Sequence, residues 1–183
     1  IAPFLYSKSK DGRPHTEQTL AEFRRAQTWV LALPYTGMII TTDLADKLDD
    51  IHPPYKWEIG RRLALLALAK NFDKKIEYSG PLLNHSNTDG NKIVLYFDHT
   101  GTGLVSNDDK PLTWFEIAGP DNIFVPAKAI IKNNTVIVSA PGITKPVAAR
   151  FAWNEAAQPN FFNKEGLPAV PFNSMETTIV VKK

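Results

Sequence analysis

The hydrophobic and polar positions divide the chain into a first part with helical periodicity and a second part with short β-rich runs. Before Asn71, two stretches carry apolar residues at the spacing of a helix face. These residues are Leu20, Phe23, Val30 and Leu31 in the first stretch and Ile59, Leu63, Leu66 and Ala67 in the second. Apolar runs at residues 1–6 and 38–42 precede the two helices and are expected to be buried strands. This strand–helix–strand–helix order predicts part of an α/β domain with a parallel sheet.

After Asn71, short runs rich in β-branched and aromatic residues alternate with clusters of turn-forming residues. The expected strands lie near Tyr78 and at residues 93–97, 104–105, 114–117, 130–131, 135–138, 148–153 and 178–181. Many short strands at this spacing are typical of an antiparallel β-sandwich. We therefore expect two structural units, the α/β part at residues 1–75 and the β-sandwich at residues 76–183.

Composition and charge narrow the range of functions that this chain could have. The 183 residues include 43% hydrophobic and 22% charged residues, which is ordinary for a globular protein, and the net charge is +2. So small a net charge gives no argument for a nucleic-acid or membrane partner. The chain has no cysteine, which excludes disulfides, thiolate nucleophiles and thiolate metal sites. His15, His85 and His99 are scattered in polar turns, so neither a metal site nor a cofactor is predicted.

The beginning of the chain has the character of a core strand, and its first residue is Ile1. We expect the chain to begin within a larger protein. A part of a parallel sheet would leave a strand edge or an apolar helix face uncovered, and the missing portion, a companion chain or self-association would have to cover it.

A single histidine lies between the second expected strand and the second helix. His52 follows Asp49 by three residues and Asp50 by two, and Pro53 and Pro54 suit the first turn of the helix that follows. At the carboxyl edge of an α/β sheet, where catalytic groups collect, a nearby carboxylate would orient the imidazole of a general base. The alternative is that Asp49 and Asp50 are solvated loop acids and that His52 is a surface residue.

The string DIHPPYKWEIGRRLALLALAKN resembles the carboxyl-terminal signature of the sialate O-acetylesterase family of SGNH-type serine esterases, in which an I-H-P block precedes the last helix. IAPF, TGM, FEIAGPDNIFVPAKAII and ARFAWNEAAQPNFFNKEGLPAVPF resemble further segments of that family, in the same order. The resemblance implies the carboxyl-terminal part of a three-layer α/β/α domain, followed by a β-sandwich.

The same resemblance implies that His52 is the base of a Ser-His-Asp triad. Asp49 fits the D-x-x-H spacing and is favoured as the acid, while Asp50 fits the D-I-H-P string. The nucleophile and the oxyanion donors are expected outside this chain, so the chain alone is expected to be inactive. The implied substrate is an O-acetylated sugar, a sialic acid or a related sugar, and the family implies an exported protein.

A second interpretation is a non-catalytic carbohydrate-binding or structural module built on the β-sandwich. Its candidate stacking residues are Trp114, Phe115, Trp153, Phe161 and Phe162. Aromatic residues in short strands are more often buried, so core packing is the favoured role for this set. Arg61 and Arg62 are expected on the exposed side of the second helix.

Overall fold

A computed structural model describes residues 1–175 of the chain, and the strand predicted at 178–181 lies outside this range. The helices of this part are α1 (Thr19–Thr28) and α2 (Lys56–Asn71), with short 3-10 turns at Tyr6–Lys8 and Trp29–Ala32. The strands are β1 (Leu82–Asp89), β2 (Lys92–Asp98), β3 (Leu104–Ser106), β4 (Phe115–Ala118), β5 (Phe124–Pro126), β6 (Lys128–Lys132), β7 (Thr135–Ser139), β8 (Ala148–Phe151), β9 (Phe161–Asn163) and β10 (Phe172–Asn173).

Within residues 1–175, the strands form two four-stranded antiparallel sheets and one smaller pair. The first sheet has the order β1-β2-β7-β6 and the second the order β10-β8-β4-β5, while β3 pairs with β9. Buried and partly exposed residues alternate along β7, as a strand with one face on the core requires. The predicted antiparallel β-rich architecture is confirmed for the described residues.

The core lies between the two sheets. Leu95 and Val136 come from the first sheet, Ile117 and Phe151 come from the second, and none of the four side chains is accessible to solvent. Phe161 packs edge-on against Phe151 with ring centroids 5.7 Å apart, a favourable aromatic geometry.

Strand β1 shows why sequence patterns miss some strands. Its residues LLNHSNTD are mostly polar, and the sequence predicts a turn over much of them, yet they pair with β2 along its full length. Since β1 is an edge strand, most of its side chains face solvent and need not be apolar. The turn itself is confined to Gly90 and Asn91, where Gly90 has a φ of 57°.

The prediction of two strands before α1 and α2 is wrong. Residues 38–42 form no strand, and residues 1–6 contain only the start of a 3-10 turn at Tyr6. A strand needs neighbouring strands to pair its backbone groups, and residues 1–175 supply none at these places. Backbone donors of the first segment bond to loops instead, as when Leu5 N–H donates to Leu48 O at 2.8 Å. The described residues therefore hold helices of the expected α/β part without its parallel sheet.

Arg24 joins α1 to the β-sandwich. Arg24 is 4% exposed, and its guanidinium donates to the main-chain oxygens of Ile1, Asn154 and Glu155 at 3.1, 3.1 and 3.4 Å. Burial lowers the pKa of Arg24 to about 10, and the charge of Glu155 works in the opposite direction. The carboxylate of Glu155 is itself buried and accepts hydrogen bonds from the amide and hydroxyl of Ser7. Helix α1 and residues 154–155 are thus held together by a buried polar contact.

Arg62 fixes the segment that leads into the candidate site. Its Nη1 donates to Ile40 O at 2.6 Å, and its two Nη atoms bind the Asp43 carboxylate at 2.7 and 2.6 Å. Its Nε donates to Glu58 at 2.7 Å, one helical turn earlier. The Arg62 side chain is 4% exposed, so its predicted place on the exposed side of α2 is wrong. Glu58 and Arg62 are four residues apart, the spacing at which side chains meet on one face of a helix, so the sequence could have predicted this contact.

Removing the Arg62 guanidinium would leave the partly buried Asp43 carboxylate without its counter-ion and Glu58 with Arg61 alone. We expect Arg62→Ala to lower the free energy of unfolding by about 3–5 kcal/mol. Arg61→Ala is a matched control, because Arg61 also binds Glu58 but is 42% exposed, and it should cost less than about 1 kcal/mol. Urea denaturation of both variants checks this, and equal losses would contradict the role assigned to Arg62.

Candidate active-site loop

Residues 43–55 form a loop that is anchored along its length. Gln158 Nε2 donates to Ala45 O at 2.9 Å, which ties the loop to the β-sandwich. Tyr55 O–H donates to the Asp46 carboxylate at 2.7 Å, and this contact raises the pKa of Tyr55. With Asp43 held by Arg62, the loop is fixed at its start, its middle and its end.

The end of the loop sets where α2 begins. The helix starts at Lys56, two residues after Pro54, and Lys56 N–H donates to Pro54 O at 2.8 Å. The prolines therefore precede the helix rather than lying within its first turn. The candidate histidine lies in the loop immediately before this proline pair.

His52 and Asp50 form the candidate pair. The Nδ1 atom of His52 lies 2.9 Å from Asp50 Oδ1, and the same oxygen accepts the backbone N–H of His52 at 2.8 Å. These hydrogen bonds, the backbone one first, hold the pKa of the Asp50 carboxyl below its usual range. The side chains of His52 and Asp50 are 79% and 54% exposed, so the pair lies on the surface.

This contact has a chemical consequence for the imidazole. A carboxylate oxygen can only accept, so a hydrogen bond at Nδ1 places the ring proton there. The neutral ring then carries its lone pair on Nε2, the atom that could take a proton from a nucleophile. Within residues 1–175, no serine hydroxyl lies within hydrogen-bond distance of His52.

The other sequence candidate is Asp49. It is exposed, and within residues 1–175 the carboxylate that reaches the His52 ring belongs to Asp50. The structure thus brings together two of the three predicted residues, Asp50 and His52.

The aromatic residues considered for carbohydrate stacking divide into two groups. Phe115, Trp153, Phe161 and Phe162 are between 0 and 5% exposed and belong to the packed interior. Trp114 is 39% exposed and lines an open cleft between the start of α1 and the β-sandwich. Sequence reasoning did not find this cleft, because its walls come from residues more than 90 positions apart.

In residues 1–175, no three His, Cys, Asp or Glu side chains gather in a way that could hold a metal ion. In the same part of the chain, no helix combines the length and the apolar character needed to cross a bilayer.

Comparison with known proteins gives a similarity among the solved structures. No family model matches the chain, and no curated protein matches it. Among solved structures, the chain is similar to a carbohydrate acetylesterase from Xanthomonas citri, with 35% sequence identity and a TM-score of 0.85. The match covers 94% of this chain and 39% of that protein, so the chain spans less than half of that protein's length. The chain is thus similar, in sequence and in fold, to one portion of a carbohydrate esterase.

Proposed function

We propose that the chain is the carboxyl-terminal part of a carbohydrate O-acetylesterase that hydrolyses acetyl esters on sialic acid or a related sugar. The observation that carries the proposal is the similarity to the Xanthomonas citri carbohydrate acetylesterase over 94% of the chain. The contact between His52 and Asp50 supports it, because a carboxylate-oriented imidazole is the base that serine esterases need.

The proposed mechanism assigns His52 as general base and Asp50 as the acid that orients it. The hydrogen bond at Nδ1 favours Asp50 over Asp49, which has the D-x-x-H spacing. His52 Nε2 takes the proton of a serine hydroxyl that this chain does not supply, and the serine oxygen attacks the acetyl carbonyl. The same imidazole then protonates the departing sugar oxygen. It next activates the water that releases acetate from the acetyl-enzyme.

The uncovered apolar surface of α2 supports the placement of the nucleophile elsewhere. Leu63 is 49% exposed, and with Leu66, Ala67 and the fully exposed Tyr35 it lines an open groove. Exposed apolar patches of this kind usually mark an interface. In the proposal, the remaining portion of the esterase covers this groove. That portion also supplies the serine, the oxyanion donors and the sheet of a three-layer α/β/α domain, with residues 1–75 and 76–183 as the two units of this chain.

The loss of His52 tests the proposed function. We expect the 183-residue chain alone to show no turnover of 4-nitrophenyl acetate or O-acetylated sialic acid above the buffer rate. In the longer protein, His52→Ala should lower kcat by about 10²–10⁴-fold, the usual contribution of general acid–base catalysis.

His85→Ala is the matched control, since His85 is an exposed histidine on β1 that contacts Asn84 and no carboxylate. It should retain wild-type kcat. A longer protein that turns over equally fast without His52 would overturn the proposal, as would His52-dependent turnover by the 183-residue chain.

The choice of acid is tested by a pair of substitutions. We expect Asp50→Asn to lower kcat in the longer protein by about 10²–10⁴-fold, because an amide at this position no longer fixes the proton on Nδ1. Asp49→Asn should change kcat by less than about threefold, as for an exposed loop residue. Steady-state kinetics on both variants separates the two candidates, and the reverse order of effects would assign the acid to Asp49.

A further inference from the structure

The open cleft beside Trp114 has the build of a ligand site. One wall is formed by residues 16–18, just before α1, and the other by residues of β4, β8 and the end of β5 with neighbouring loop residues. The empty space amounts to about 1150 Å³ when the solvent at its mouth is included. Binding clefts are frequent where two structural units meet, and this one lies between the helical part and the β-sandwich.

The backbone at Trp114 is fixed before any ligand arrives. Its O accepts from Ala152 N–H at 2.9 Å, and its φ of 62° is unusual for so large a residue. The neighbouring Thr113 is held through its amide and hydroxyl by the buried Asn160 Oδ1, at 3.0 and 3.2 Å. Asn160 in turn donates to Pro111 O at 3.0 Å. This network explains how a residue with so unfavourable a φ keeps a defined position at the mouth of the cleft.

Polar groups line the cleft in two fixed pairs, one joining its two walls and one lying on the wall formed by β4 and β8. Asn154 Nδ2 donates to Glu17 Oε2 at 3.0 Å. Arg150 forms a bidentate pair with Glu116, at 2.7 and 3.1 Å, and its guanidinium lies 4.2 Å from the centroid of the Phe124 ring. An aromatic side chain beside ordered donors and acceptors suits a sugar ring, which offers an apolar face and a rim of hydroxyl groups that both donate and accept.

The charge of the lining residues limits which sugar fits. The cleft residues include two carboxylates, Glu17 and Glu116, and one guanidinium, Arg150. Because Arg150 is already paired with Glu116, the remaining formal charge is one negative charge on Glu17. A carboxylate-bearing sugar would be repelled, while a neutral sugar would not.

We propose that this cleft binds a neutral sugar unit of a glycan, which stacks on Trp114 and hydrogen-bonds to the Glu17–Asn154 and Glu116–Arg150 pairs. The ligand class rests on the carbohydrate esterase function proposed above. The cleft then holds a unit of the glycan other than the acetylated one. Since this binding needs no turnover, it can succeed or fail independently of the esterase reaction.

Direct binding to the 183-residue chain tests the proposal. Titration by isothermal calorimetry with xylohexaose, mannohexaose and cellohexaose should detect binding of at least one neutral oligosaccharide, and 3′-sialyllactose should bind more weakly. Trp114→Ala should weaken the neutral ligand by about tenfold or more, because an exposed tryptophan in a site is a typical hot spot. Trp57→Ala is the matched control, since Trp57 is 70% exposed on α2 and outside the cleft, and it should bind like the wild type.

A second variant keeps the test independent of the folding of Trp114→Ala. Glu17 is exposed, and Glu17→Lys replaces the unpaired negative charge by a positive one. It should raise the affinity for 3′-sialyllactose relative to the neutral oligosaccharide. Absence of binding to all three neutral probes would overturn the proposal, as would unchanged affinity in a folded Trp114→Ala or tighter binding of 3′-sialyllactose by the wild type. If the longer protein shows no esterase activity but the 183-residue chain binds the neutral sugar, only the proposed catalytic function is contradicted.

Discussion

The buried guanidinium of Arg62 is the interaction on which the candidate site depends. The approach to the loop, residues 38–42, has no neighbouring strand within residues 1–175, and the hydrogen bond that Ile40 O accepts comes from Arg62. Arg62 supplies that partner and binds Asp43 at the same time, and both contacts start from α2. A charged group is costly to bury, and only its full set of hydrogen bonds offsets that cost. The position of His52 is therefore set by a helix on one side and by the β-sandwich contact of Gln158 on the other.

The two parts of the chain differ in how completely they bury their own apolar surface. The sandwich closes its own core, with its inward-facing side chains fully enclosed between two sheets. The helical part does not, because an apolar groove on α2 remains open and no sheet lies behind it in residues 1–175. This difference is the physical reason for proposing that the remaining portion of a longer esterase covers the apolar groove of the helical part. The division at residues 75 and 76 stays a prediction.

Sequence patterns predicted the elements that obey a local rule. The second helix follows from the spacing of its apolar residues, and the strand at residues 135–138 follows from its run of β-branched residues. The patterns failed where the outcome depends on distant neighbours. Apolar residues at 38–42 suit a strand, but no partner strand is present in the described part, and the polar β1 is a strand because β2 pairs with it. In the candidate site, the loop and its histidine were visible from the sequence. The burial of Arg62 and the cleft at Trp114 could be recognised only from the folded structure.

The contacts of Arg24 also bear on how this chain can change over time. Arg24 binds main-chain oxygens of residues 154 and 155, not their side chains. Main-chain oxygens are the same whatever amino acid occupies a position, so this attachment places little demand on the identity of residue 154. The side chain of Asn154 takes no part in this attachment, and its Nδ2 donates to Glu17 in the cleft. The residues that recognise a ligand can thus diverge while the helical part stays fastened to the sandwich.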